Sequence, residues 1–162
     1  MPQQLYDEAL QRSEAFYIKL ISWADVVSWA DSWIAQLDDL PEALVDVSLS
    51  LTRQRGGEDA LSQLARKGNY GTVLPFLKAL WLKRYFTGKT NFSQLVEEIY
   101  AYNENGLWEH GDRLLWLGDE AMFNLELFAC MEEPETTYLL NDNEKAALLE
   151  SLEKEVMAWL SH

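Results

Sequence analysis

The sequence predicts an all-α fold: a single compact multi-helix domain of seven to nine helices over residues 1–162, built as a bundle or a short helical solenoid. Three observations predict it. Apolar residues recur at three- and four-residue spacing along nearly the whole chain, which is the period of a helix face. Helix-start and helix-stop residues fall between those stretches. No alternating run is long enough for a half-buried strand, and β-branched residues are scattered. At 48% hydrophobic, with seven Trp, seven Tyr and six Phe, the chain supplies its own core and is not globally disordered.

Taken in order, residues 4–20 form a first helix through Leu5, Ala9, Leu10, Phe16, Tyr17 and Leu20. Ser22, with Asp25 three residues on, reads as an N-cap with an acidic first turn. The stripe Trp23, Val26, Val27, Ala30, Ile34 and Leu37 follows. Asp38-Asp39-Leu40-Pro41 breaks it, and Pro41 suits the first position of a helix through Leu44, Val47 and Leu51. Gly56-Gly57 is the strongest punctuation in the chain, followed by a short helix over residues 58–67 that stops at Gly68-Asn69. A long apolar helix comes next, about residues 72–87, with Pro75 tolerated in its first turn and Gly88 ending it. Thr90 or Asn91 caps a helix through Leu95, Ile99 and Tyr102 that ends at Asn105-Gly106. Residues 107–131 read as two short buried helices split near Gly118, and residues 134–140 as a loop. Asn141 with Glu144 signals the cap of a last helix, whose face is Leu149, Leu152, Val156, Trp159 and Leu160.

Charge is distributed unevenly. Residues 1–50 carry nine carboxylates against two basic residues, and residues 91–162 carry sixteen against three. Between them, residues 51–90 hold eight Lys and Arg against Glu58 and Asp59. A basic island thus sits in a chain of formal charge −14 and pI about 4.4. Such a field governs partner choice and association rate rather than fold. Nucleic acid is not an expected partner, because the surrounding acid repels it and Lys78, Lys83, Arg84 and Lys89 do not share one helix face. Arg66, Lys67, Lys83 and Arg84 suit last turns, where the helix dipole favours cations, and the island is expected to pair with acidic helices or with a partner.

The N-terminal residues show no signal-peptide pattern, and every apolar stretch is interrupted by charge well short of the roughly 18 residues that a membrane span needs. The expected location is cytoplasmic. Cys130 is the single cysteine; it lies in an apolar run beside Glu126, Glu132 and Glu133, which suits a buried small hydrophobe rather than a reactive thiol.

No catalytic signature is present. The two histidines, His110 and His162, lack the Glu-x-x-His spacing of a di-iron bundle, and no zinc-ligand pattern occurs. Asp39-x-x-Glu42, Glu132-x-x-Glu135 and Glu150-x-x-Glu153 have a spacing that can hold Mg²⁺ against nucleotide phosphates, which keeps a carboxylate-dependent Mg²⁺ enzyme acting on nucleotides as the alternative function. Solvated surface, with helix-start chemistry beside Pro41 and Pro134, is the reading these pairs favour. His110, flanked by Glu109 and Asp112, is either a general base or a loop residue bonding locally. No cofactor is expected.

The aromatic residues suggest where a partner binds. On a helical wheel over residues 23–37, Trp33 lies within the apolar arc, Trp29 at its rim, and Asp25 close by on the polar side. Asp25, Trp29, Asp31 and Trp33 are therefore the candidate partner-binding residues, the rings burying area and the acids selecting a basic protein. Trp29 packing into a wider core is the other reading. The stretch Val26-Val27-Ser28-Trp29-Ala30-Asp31-Ser32-Trp33-Ile34, followed by Asp38, Pro41 and Leu44-Val45-Asp46-Val47-Ser48-Leu49, resembles small acidic all-helical bacterial proteins over about residues 23–49, some uncharacterised and some immunity proteins of toxin systems. That resemblance implies a cytoplasmic protein that neutralises a toxin by binding it. The expected function is a non-enzymatic acidic protein-binding protein with a basic partner. A homo-oligomer through the Leu149–Leu160 face is a further possibility.

Overall fold

A computed structural model describes residues 2–106 and 141–162, residues 103–106 by their backbone. Every regular element among the described residues is helical: α1 (Gln3–Tyr17), α2 (Trp23–Ile34), α3 (Glu42–Ser48), α4 (Gln54–Ala65), α5 (Val73–Phe86), α6 (Phe92–Gly106) and α7 (Asp142–Ser161), with a turn of 3₁₀ helix at Tyr70–Thr72. The all-α class is as the periodicity predicts. The elements expected over residues 107–140, with His110 and Cys130, lie outside the described residues. Backbone contacts divide the chain into two compact units, Met1–Leu77 and Lys78–His162, the boundary falling within α5.

In the first unit, α1 stops at Tyr17 rather than reaching residue 20. Lys19 takes φ +62°, and the chain closes by Lys19 N–H donating to Phe16 O (2.9 Å) and Leu20 N–H to Ala15 O (2.8 Å). These are the two bonds of a Schellman cap, and buried Leu20 supplies its apolar contact. Ser22 and Asp25 form the expected capping box at the start of α2. Pro41 is the N-cap of α3 rather than its first residue, and α3 ends at Ser48, short of Leu51.

The larger correction concerns Gly56-Gly57. These glycines do not separate elements; they lie in the first turn of α4, which begins at Gln54. A Cβ on Gly57 would overlap the Ser50 side chain and the Trp23 ring. Ser50 is itself buried, accepting from Trp23 Nε1 (3.2 Å) and donating to Val47 O (2.6 Å). The glycine therefore serves close packing, not a turn. Gly68 plays a similar part at the other end of α4, where a Cβ would come 2.5 Å from Tyr6 O of α1. Asp7 of α1 fixes the next link by accepting from Asn69 N–H (2.8 Å) and from Gln3 Nε2 (2.9 Å). The core of this unit joins one face of α1, α2, α3 and α4, centred on Leu5, Val26, Leu44, Val47 and Leu61.

In the second unit Trp81 of α5 is fully buried, edge-on to Tyr102 of α6 at 5.9 Å and tilted against Trp159 of α7 at 6.4 Å. Leu95, Val96 and Ile99 of α6 and Leu152, Val156 and Leu160 of α7 are buried in the same unit. Gly88, at φ +69°, ends α5 with a second Schellman cap, Gly88 N–H to Tyr85 O (3.0 Å) and Lys89 N–H to Arg84 O (2.9 Å). Asn91 caps α6 by exchanging bonds with Gln94, and Asn141 with Glu144 forms the capping box that starts α7.

Candidate functional site: the α2–α3 face and the Glu8 cluster

The helix period puts Trp29 and Trp33 of α2 one turn apart, and it does the same for Glu8 and Arg12 of α1. Where these helices meet, both indole N–H groups donate to one carboxylate oxygen, Trp29 Nε1 at 2.8 Å and Trp33 Nε1 at 3.1 Å from Glu8 Oε2. Gln4 Nε2 donates to the other oxygen at 3.0 Å. Arg12 lies 3.7 Å from Glu8 Oε2, with its guanidinium carbon 5.2 Å from the Trp29 ring centre and 5.3 Å from that of Phe76. Burial alone would raise the Glu8 carboxyl, but the Trp33, Trp29 and Gln4 donors and the Arg12 charge outweigh it and hold it below the usual glutamate range. Burial lowers Arg12 in turn.

Of the two readings of Trp29, this geometry has the one in which it packs into a wider core. The ring is 6% exposed and sits in the core, with its polar edge turned to Glu8. Trp33 is half-buried beside it. Asp25 and Asp31 are exposed, but both also hold the fold together. Asp25 completes the Ser22 capping box, and Asp31 accepts from Ser48 Oγ, tying α2 to α3. They stand about 9 Å apart along the helix axis, at 1.5 Å per residue. The structure thus joins Trp29 and Trp33 around an internal carboxylate and leaves the two aspartates on the outer surface. Glu8 and Arg12 were not singled out by their sequence; the available signal was their i, i+4 opposite charge on a helix.

The α2–α3 face carries the acid. Residues 20–52 hold six carboxylates, Asp25, Asp31, Asp38, Asp39, Glu42 and Asp46, and no Lys, Arg or His. All six are exposed. Asp38, Asp39, Glu42 and Asp46 enter no ion pair among the described residues. On α3, Glu42, Asp46 and the C-cap Leu49 follow at i, i+4 and i+7 and form one outward stripe, while fully buried Leu44 and Val47 point the other way. Leu49 is 75% exposed and Leu51 is 61% exposed, on either side of buried Ser50.

The basic island is partly engaged. Arg84 pairs with Glu98 at 3.1 Å, and Lys78 donates to Trp159 O at 2.9 Å with its ammonium 4.2 Å from the Trp159 ring centre. Lys67 lies 5.0 Å from the ring centre of Tyr6. A half-open apolar hollow of about 460 Å³ lies at the end of α1, between Phe16, Tyr17, Ile21 and Leu61, with Ser13, Lys19 and Glu58 as its polar lining. No group of three or more potential metal ligands occurs among the described residues. Of the carboxylate pairs, Glu150 binds Lys154 (3.0 Å) and Glu153 accepts from Tyr85 OH (2.8 Å), whereas Glu132 and Glu135 lie outside the described residues. No helix among the described residues is long and apolar enough to cross a membrane. Compared with known proteins, the chain matches no family model, no curated protein and no solved structure.

Proposed function

We propose that this chain is a non-enzymatic binding protein for a basic protein partner, and that its specific role is immunity-type inhibition of a basic toxin. The observation that carries this reading is the cation-free span 20–52, in which all six carboxylates face solvent. An acidic field on a rigid helical scaffold steers a basic protein and raises its association rate well above the ~10⁶ M⁻¹s⁻¹ of an unsteered encounter. It also rejects nucleic acid and anionic lipid. The resemblance of residues 23–49 to immunity-type proteins agrees with that chemistry and supplies the toxin as the partner class. Trp29 belongs to the scaffold in this reading, since its indole is spent on Glu8.

The test is a low-salt affinity purification of the tagged full chain from its own cells, with mass spectrometry of what it retains. A stoichiometric basic protein, released at high salt, is the expected result. If the retained proteins include no basic species, or if the complex is indifferent to salt, the reading fails. Cytoplasmic residence belongs to the same proposal, and cell fractionation checks it.

A further inference from the structure

Independently of the basic partner, we infer that the hollow at the end of α1 is a binding site for a small zwitterion with an apolar side chain, an amino acid of the leucine or phenylalanine type. Phe16, Ile21 and buried Leu61 give the hollow its apolar surface, and the Phe16 ring is held edge-on to Trp23 at 5.2 Å. Exposed Tyr17 adds a second aromatic ring to the lining, and every described lining residue belongs to one compact unit. At about 460 Å³ the hollow lies within the roughly 300–1,000 Å³ of small-molecule sites. Its charges select the ligand. One cation, Lys19, and one carboxylate, Glu58, line it, and they do not pair with each other. Lys19 makes no ion pair or side-chain hydrogen bond among the described residues, and Glu58 accepts only from Gln54 Nε2, on one oxygen, at 2.7 Å. An anionic ligand would meet Glu58 and the field of a chain of charge −14, and a cationic one would meet Lys19. A neutral ligand that carries both charges satisfies both groups. A free amino acid has its carboxylate and ammonium on one carbon and leaves its side chain for the apolar surface. A residue within a protein partner has neither charge at its Cα and would use that surface alone. The backbone of Lys19 agrees with this assignment. Its φ of +62° is one that glycine adopts without a Cβ penalty, yet the chain places there a long cation that its own fold leaves unused.

The experiment titrates the isotopically labelled full chain with L-phenylalanine and follows its backbone amide resonances. Saturable shifts centred on Phe16, Lys19 and Leu61 are expected. Phenylalanine amide lacks the carboxylate, and N-acetyl-phenylalanine lacks the ammonium; each should bind about tenfold or more weakly. Lys19→Gly should weaken L-phenylalanine by a similar factor and leave the amide unaffected, since that ligand has no carboxylate to lose. Glu58→Gln should weaken L-phenylalanine and leave the N-acetyl form unaffected. Neither loss reflects unfolding if the melting temperature of Lys19→Gly is not lowered. The absence of shifts at these residues with about 10 mM L-phenylalanine would overturn the site. So would unchanged affinity in Lys19→Gly. N-acetyl-phenylalanine amide stands in for a residue within a peptide; if it binds as tightly as the free amino acid, the hollow takes a partner's side chain and the inference is overturned. The acidic α2–α3 face and its basic partner are untouched by any of these outcomes.

Discussion

Lys19 and Gly88 occupy the same position in two copies of one motif, the left-handed residue of a Schellman cap, at φ +62° and φ +69°. Only the glycine does so without a Cβ penalty, which is about 1 kcal/mol or more for other residues. Lys19→Gly should therefore stabilise the chain by roughly 0.5–1 kcal/mol after the extra backbone freedom of glycine in the unfolded state is subtracted. Gly88→Ala should cost about as much through φ alone, since nothing lies within 4 Å of the added Cβ. Urea melts of the two variants check the pair, and a destabilised Lys19→Gly would refute the strain. Glu8 makes a second, pH-dependent prediction. Its folded pKa is depressed, so its contribution is fully present above the unfolded carboxylate range and is lost as pH falls through the lower folded value. Glu8→Gln should cost about 1–2 kcal/mol near neutrality, with the gap to wild type closing as pH drops below about 4. A gap constant over that range would mean that the charge of Glu8 is immaterial.

At the scale of elements, helix existence was readable because apolar spacing reports directly on which face is buried; α2, α5, α6 and α7 all appear where the sequence puts them, although α2 ends at Ile34, short of Leu37, and Leu149, expected on the buried face of α7, is exposed. Their ends were less readable. The end of α1 depends on a lysine adopting a conformation expected of glycine, and no residue-type signal announces that. Gly56-Gly57 misled for a related reason: glycine marks both turns and close packing, and only the approach of Trp23 and Ser50, far away in sequence, decides between them. The candidate site behaved likewise. A helical wheel assigns Trp29 to a rim, but whether a rim is covered depends on α1, whose Glu8 and Arg12 a single-helix projection does not contain. Gly57→Ala puts this to the test. The added methyl must displace the Ser50 side chain or the Trp23 ring, so the variant should lose roughly 1–3 kcal/mol. Gly56→Ala, with nothing within 4 Å, should be stabilising by about 0.5–1 kcal/mol in the same helix. Equal effects at the two positions would restore the reading of the pair as a turn.

Over the whole molecule the deciding quantity is the field. Formal charge −14 on 162 residues opposes compaction slightly and dominates encounter, and its sign is opposite to that of the island at residues 51–90. Part of the island is engaged internally, Arg84 by the opposite charge of Glu98 and Lys78 by the Trp159 ring and carbonyl, whereas Asp38, Asp39, Glu42 and Asp46 stay unpaired among the described residues. The α2–α3 face thus turns these carboxylates outward, with exposed Arg53 and Arg55 following in the chain at the start of α4. Replacing Asp38, Asp39, Glu42 and Asp46 together by Asn or Gln removes four charges without touching the Asp25 cap or the Asp31–Ser48 tie. Association with the purified basic partner, measured by stopped flow between low and physiological salt, should then slow by about tenfold or more at low salt, with the dissociation rate changed much less. The slope of rate against ionic strength should fall with it, because long-range steering between exposed charges is what salt screens. An unaltered on-rate and slope would mean that the partner approaches another face, and the assignment of the acidic span to recognition would have to be withdrawn.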